Sequence, residues 1–139
     1  MITEDYVSFE TAKLLKEKGF DEPTTKSYYT EGFENPMIFS HDLLPCIRPD
    51  EFLCPTLQMV MKWFRKEHQI GIFPSQYRIY KDNAVSDEFG YGVEIIKLGT
   101  DIPLNPNEEK ISDKGRYFTY TSYEQACEAA IKYCLEKLI

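Results

Sequence analysis

The side chains that could do chemistry in this chain are its two histidines and four cysteines. The adjacent pair His41-Asp42 could supply a base and the carboxylate that orients it, although neighbouring residues rarely face each other. Cys46 or Cys54 could pair with His41 as a nucleophile and its base, but no flanking motif accompanies either cysteine. The sequence therefore assigns no catalytic residue.

Metal and cofactor sites lack their sequence signatures. The cysteines form no CxxC pair, and neither histidine stands at zinc-finger spacing. Phosphate-binding loops of the GxxxxGKS/T or GxGxxG type are also missing from the sequence. The sequence GYG at 90–92 is expected at a strand entrance, where glycine serves a turn or a bulge. The sequence predicts no metal and no cofactor.

The net charge of −7 argues against a nucleic-acid partner, which a protein normally meets with a basic field. No apolar run approaches about 20 residues, the length that spans a bilayer, so no membrane span is expected. The N-terminal sequence MITEDYVSFE has neither the basic nor the apolar region of a signal peptide. We therefore expect a cytoplasmic protein whose thiols stay reduced.

The first helix should cover residues 9–18. Ser8 precedes its apolar stripe as an N-cap, and Gly19 follows it as the left-handed C-terminal residue. The last helix should begin after Ser122, with Gln125 completing a capping box. Its apolar residues recur at helical spacing: Tyr123, Ala126, Cys127, Ala130, Ile131, Cys134, Leu135 and Leu138. Cys127 and Cys134 therefore behave as small hydrophobic residues of a buried stripe.

Two short strands are predicted within residues 26–40, as KSYYT and PMIFS, with a turn between them. Residues 41–54 contain two prolines and no clean period, which favours an irregular connection. Residues 76–81 and 91–98 alternate as the strands of a hairpin with a polar turn, 82–90, between them. Residues 116–120, RYFTY, predict a third strand beside this hairpin.

These elements predict an α+β fold in the order αββαβββα, with helices packed on an antiparallel sheet. The length favours a single domain, 1–139. The segment 99–115 exceeds the length of about 12–15 residues beyond which unstructured loops are uncommon. This segment is interpreted first as a disordered loop, then as a flap that contacts a partner, with a mobile arm as the third alternative.

The central helix is predicted over residues 54–72, with Pro55 in its first turn and Gly71 at its end. Its apolar positions sweep about 200° of the helix, more than one packed face requires. Met59 and Trp63 lie outside the main apolar cluster. They are either core residues covered by another element or part of an interface, where Trp and Met are enriched.

Partner binding is predicted at four residues of this helix: Met59, Lys62, Trp63 and Lys66. The prediction requires that Trp63 is not fully buried in the monomer. Arg48 and Arg65 could join the two lysines in a local basic patch that binds nucleic acid. The simpler interpretation of that patch is a solvated helix face.

Three segments together resemble a known family. They are PTLQMVMKWFRKEHQIGI, the tyrosine-bearing strand that follows it, and YTSYEQACEAAIKYCLEKLI at the C-terminus, with VSFETAKLLKEKGF as a looser match. The family comprises small uncharacterised proteins of gut-bacterial genomes and prophage-like elements. The resemblance implies a bacterial or phage context. It implies no activity and no functional residues.

The leading hypothesis is a non-enzymatic binding module, an accessory factor of a mobile element, with a protein partner or self-association. One alternative is a small-molecule enzyme with a Tyr-lined pocket, which would need His41 or His68 beside a cysteine or a carboxylate. Another is a nucleic-acid accessory protein that uses the 62–66 basic face.

Overall fold

A computed structural model of the protein describes residues 1–44, 48–82, 84–104 and 120–139. It contains three helices and two antiparallel sheets, which confirms the α+β prediction. The helices are α1 (Phe9–Glu17), α2 (Leu57–Glu67) and α3 (Tyr123–Tyr133), the last continuing as a π-helical turn, Cys134–Leu138. The strands are β1 (Thr24–Tyr29), β2 (Met37–Leu44), β3 (Glu51–Leu53), β4 (Ile70–Lys81) and β5 (Ala84–Lys97).

The chain divides into two compact units. The first contains Met1–Val60 and Ile131–Ile139, and the second contains Met61–Ala130. The three-stranded sheet and α1 belong to the first unit, and the β4–β5 hairpin belongs to the second. That residues 1–139 behave as a single domain stays a prediction.

The first unit is built on a sheet of order β2-β1-β3. β1 pairs antiparallel with both neighbours, so Tyr28 stands between Ile38 and Phe52. Because side chains alternate along a strand, these three residues share one face. Phe9 of α1 packs edge-on against Tyr28 and Phe52 there, with ring centroids 5.6 and 5.3 Å away. Helix α1 therefore covers this face of the sheet.

The caps of α1 are as predicted. The Ser8 side chain accepts from the Thr11 N–H at 3.3 Å, and Gly19 has a φ of 86°. The connection of residues 41–54 is more regular than predicted. β2 extends through Leu44, and β3 supplies a further strand, because both can pair with β1.

Helix α2 is shorter than predicted at both ends. The Thr56 side chain caps the start of α2 by accepting from the Met59 N–H at 3.1 Å. The helix therefore begins after Pro55, which is not part of its first turn. The left-handed residue after its end is Gln69, with a φ of 54°, so the chain enters β4 before Gly71 is reached. Gly71 therefore ends no helix; it lies buried inside a strand.

The β4–β5 hairpin is present and is longer than predicted. Lys81 pairs with Ala84, so only two residues connect the strands, and residues 84–90 of the predicted polar turn are strand instead. Asp82 has a φ of 51°, which suits the short turns that match the twist of a hairpin. Gly92 serves neither a turn nor a bulge. A Cβ there would clash with the ring of Tyr77, so glycine lets that ring lie across β5.

Helix α3 buries the predicted stripe. Ser122 caps it by accepting from the Gln125 N–H at 3.1 Å. The Gln125 side chain accepts from the Thr121 N–H at 3.2 Å, one residue before the donor that a capping box would use. The buried stripe residues are Ala126, Cys127, Ala130, Ile131, Cys134 and Leu135.

Two predicted features lie largely outside the described residues. Of the strand 116–120, only Tyr120 is described, and it forms an antiparallel bridge with Tyr91. Of the segment 99–115, only residues 99–104 are described, and Ile102 and Leu104 exchange backbone hydrogen bonds with β5. No helix in the described ranges is long and apolar enough to cross a membrane.

Replacing Gly71 with alanine should destabilise the protein. The new Cβ would lie 2.6 Å from Phe73 Cε2 and 2.8 Å from Leu98 Cδ2. Such overpacking costs about 1–3 kcal/mol, while alanine recovers about 0.5–1 kcal/mol of chain entropy. Urea denaturation should therefore show a net loss in the free energy of unfolding of up to about 2.5 kcal/mol. Phe73→Ala in the same chain should restore part of that loss. A Gly71→Ala variant more stable than the wild type would contradict the close approach.

Candidate functional site

The residues predicted to bind a partner differ in exposure. Lys62 and Lys66 are exposed on α2, and Met59 is half-buried. Trp63 is only 7% exposed, and its indole contacts the His68 ring at a centroid distance of 4.7 Å. An indole buried to this degree offers little surface to a partner. A role of these four residues in partner binding stays a prediction, and it would depend mainly on the lysines and Met59.

The cysteines that the structure describes, Cys54, Cys127 and Cys134, are all buried. Burial raises the pKa of the Cys134 thiol to about 12, so it stays protonated near neutral pH. Cys54 donates weakly to the Val7 carbonyl at 3.7 Å. Cys46 lies outside the described residues. Among those described, no group of three or more His, Cys, Asp and Glu residues could hold a metal ion.

Among the regular elements of the first unit, strand β2 carries the most exposed large apolar side chains. Every residue of β2 is exposed except His41, which is half-buried. Large apolar side chains point to both of its faces, and Leu43 is 64% exposed. In the sheet order, β2 is an edge strand, so one side of its backbone faces no other described strand. Proteins usually protect such edges because they template pairing with another chain.

An open pocket of about 380 Å³ adjoins β2. This volume falls within the usual range for ligand sites. We call it the β2 pocket. Its lining residues all belong to the first unit: Tyr29, Glu31, Phe33, Phe39, Ser40, His41, Arg48 and Asp50. Tyr29 and Phe39 point to the sheet face opposite α1, because they alternate along their strands with Tyr28 and Ile38. The β2 pocket therefore lies on that face.

Arg48 and Asp50, which directly precede β3 in the sequence, form one wall of the β2 pocket. The Arg48 guanidinium donates two hydrogen bonds to the Asp50 carboxylate, at 3.0 and 3.1 Å. It also lies over the Tyr29 ring, with Cζ 5.4 Å from the centroid. Glu31 is more loosely associated, 3.8 Å from an Arg48 nitrogen. The guanidinium is therefore held by a carboxylate and an aromatic face.

Lys16 of α1 holds this wall in place. Its ammonium group donates to the carbonyls of Pro49 at 2.8 Å and Glu51 at 2.7 Å, and more weakly to that of Arg48 at 3.3 Å. It also lies 4.6 Å from the centre of the Phe52 ring. The segment from Arg48 to Glu51 is therefore fixed to the helix, which orients the charged side chains that it carries.

Behind the β2 pocket, the Tyr29 hydroxyl donates to the buried Glu51 carboxylate at 2.6 Å. This hydrogen bond raises the pKa of Tyr29 above its ordinary value, because the carboxylate favours the protonated phenol. Partial burial of the ring acts in the same direction, and the Arg48 guanidinium opposes it. Tyr29 is therefore a fixed, neutral donor at physiological pH.

His41 contacts the Ser27 hydroxyl through Nε2 at 2.7 Å and the Asp42 backbone carbonyl through Nδ1 at 2.5 Å. A carbonyl can only accept, so Nδ1 carries a proton, and in the neutral imidazole Nε2 then accepts from Ser27. A serine that donates to histidine is the arrangement of an activated nucleophile. However, Ser27 has no exposed surface, so a substrate cannot reach its hydroxyl. This pair is structural, and the Asp42 carboxylate does not take the orienting role considered for His41.

The sequence did contain a signal for this site. In PMIFS, three consecutive apolar residues cannot all face one side of a strand, so an apolar face outside the core was implied. The β2 pocket had no such signal. Its residues come from β1, the following turn, β2 and the 48–50 segment, which only the tertiary structure brings together.

Comparison of the chain with protein-family models, with curated proteins and with solved structures found no match. The resemblance drawn from the sequence therefore stays an expectation. Function has to be inferred from the β2 edge and its pocket.

The hydrogen bond to Glu51 can be tested by titrating Tyr29. Its phenol should deprotonate above the ordinary pKa of 10.0, and Glu51→Gln should bring that pKa back towards 10.0. The pKa of Tyr29 is higher in the folded protein than in the unfolded chain. The hydrogen bond to Glu51 therefore contributes fully to stability at pH values below the unfolded pKa, and this contribution is lost as pH rises through the folded pKa. NMR of ¹³C-labelled tyrosine, assigned with Tyr29→Phe, measures the shift.

Glu17→Gln, which removes an exposed carboxylate of α1, is the matched control and should leave the Tyr29 titration unchanged. The same titration midpoint in wild type and Glu51→Gln would show that the hydrogen bond does not control the phenol.

Proposed function

We propose that this protein is a non-enzymatic binding module that pairs an extended segment of a partner protein with strand β2. The observation that carries the proposal is the exposure of the β2 edge. Backbone groups along an edge strand can hydrogen-bond an added strand, and side-chain pockets beside it provide selectivity. β2 offers both, since the β2 pocket opens beside Phe39 and His41.

The register of β2 limits the length of that pairing. β2 follows β1 regularly from Met37 to Ser40, and the register then shifts, with more residues on β2 than on β1. Such a bulge twists an edge and interrupts a regular ladder. The straight part of the edge is therefore about four residues long, which suits a short peptide segment better than a long sheet.

The exposed apolar side chains supply the affinity. Ile38 points to the face of α1, and Met37 and Phe39 point to the face of the β2 pocket. An added strand places its own side chains about 5 Å away, opposite these residues on both faces. A partner segment with apolar residues at alternate positions would remove them from water, which is favourable in proportion to the area covered.

Charge favours a different protein over a second copy as the partner. Two copies of this chain, each with a net charge of −7, repel one another, whereas a basic segment is attracted. The same charge disfavours the nucleic-acid alternative, although Lys62, Arg65 and Lys66 are exposed on α2. Placing this module in a bacterial cytoplasm as a mobile-element accessory protein rests on the sequence resemblance alone.

The enzyme alternative has less support. The β2 pocket does place His41 in the same cavity as Asp50 and Glu31. Both nitrogens of that imidazole are nevertheless engaged with Ser27 and the Asp42 carbonyl. The pocket also contains one tyrosine and two phenylalanines, so it is aromatic rather than Tyr-lined.

Selection of peptides on the immobilised full chain tests the proposal. Random peptides of about nine residues should be enriched for apolar residues at alternate positions, the period of a strand. Met37→Thr combined with Ile38→Thr should weaken the binding of the selected peptides about tenfold, since it removes apolar area while keeping charge and strand propensity. Fluorescence anisotropy measures the affinity, and hydrogen exchange should show protection of residues 37–40.

Val85→Thr is the matched control, because Val85 is an equally exposed apolar residue of β5 in the other unit. It should leave affinity unchanged. Peptides with helical spacing, or protection confined to α2, would refute pairing along β2.

A further inference from the structure

The β2 pocket lies where alternate side chains of an added strand would enter it. Phe39 and His41 line the pocket, and Ile38 points to the opposite face. A strand paired with β2 projects every second side chain towards the pocket. One of these side chains, opposite Phe39, starts about 5 Å from the pocket wall. A side chain with a long flexible stem can therefore reach the interior of the pocket.

The charges of the lining leave one carboxylate in excess. Glu31 and Asp50 are acidic, and Arg48 is basic. Arg48 binds Asp50 through two hydrogen bonds, so those two charges largely compensate each other. Glu31 is farther away, at 3.8 Å, and its side chain is mostly exposed. A cation that enters the pocket would find the Glu31 carboxylate accessible.

The walls of the pocket attract the same kind of group. Phe33 and Phe39 are 43% and 42% exposed, and their ring centroids lie 5.7 Å apart. A cation over an aromatic face is attracted by the ring, and guanidinium groups most often make this contact. The pocket already contains one example, the Arg48 guanidinium over Tyr29 beside the Asp50 carboxylate. Phe33, Phe39 and Glu31 offer a second aromatic face and carboxylate.

We propose that the β2 pocket selects a lysine or arginine side chain of the partner strand. The partner is then an extended segment with apolar residues on one face and a basic residue on the other. This inference rests on the proposed pairing along β2. The net charge of −7 adds a long-range attraction for the same partner, which raises the rate of encounter.

A set of three synthetic peptides tests the selection. Each is a blocked peptide of about nine alternating threonine and valine residues whose central residue is lysine, norleucine or glutamate. Norleucine keeps the apolar stem of lysine and removes its charge. Titration of the ¹⁵N-labelled full chain should show the lysine peptide binding up to about fivefold more tightly than the norleucine peptide, with glutamate weakest, since an exposed charge contact contributes at most about 1 kcal/mol.

Glu31→Gln should remove most of the preference for lysine over norleucine, because it removes the accessible carboxylate and keeps the shape of the side chain. Glu34→Gln is the matched control, since Glu34 is an exposed carboxylate nearby that does not line the pocket. It should leave the preference intact. Phe39→Leu should reduce the preference while apolar contact remains.

The outcomes separate the two proposals. If all three peptides bind equally and shift the amides of residues 37–44, pairing along β2 stands and selection of a basic side chain is refuted. If lysine is preferred but Glu31→Gln leaves that preference unchanged, the carboxylate of the β2 pocket does not supply it, and selection by the pocket is refuted. If no peptide shifts those amides, the proposed function itself fails, and the selection fails with it.

Discussion

The backbone pairing of β1 is the constraint on which the first unit depends. Among the described strands of its sheet, β1 alone is paired on both edges, with β2 on one side and β3 on the other. Alternation along β1 then sends Tyr28 towards α1 and Ser27 and Tyr29 to the opposite face. The packing of α1, the buried hydrogen bond to Glu51 and the position of the β2 pocket all follow from that register.

Among the described strands, none pairs with the outer edge of β2, and this open edge is the cost of the arrangement. A three-stranded sheet must leave two edges, and β3 is short, at three residues. β2 is longer and carries apolar side chains on both faces, with a register shift near its centre as a protective feature. Natural proteins tend to retain such an edge only when pairing has a use or when it is covered. The adjoining pocket, with aromatic walls and an excess carboxylate, is the feature on which the proposed selection of a partner rests.

Helix α2 shows how a wide apolar arc can mislead. The arc indicated either core packing or an interface, and the burial of Trp63 favours the core for that residue. The Trp63 ring also contacts His68, which lies just beyond the end of the helix. The Gln69 side chain donates to the Lys66 carbonyl at 3.1 Å and so satisfies one of the last carbonyls of the helix.

The sequence by itself determined the fold class, the caps of α1 and the buried stripe of α3. These depend on interactions within a few residues, such as Ser8 with Thr11 and Ser122 with Gln125, which helix geometry dictates. Only the tertiary structure decided that Gly71 lies in a strand and that β3 exists. It also decided that Glu31, Phe39 and Arg48 share a cavity. The reason is that strand pairing is set by partners distant in sequence, so neither the edge that stays open nor the pocket beside it can be read from local pattern.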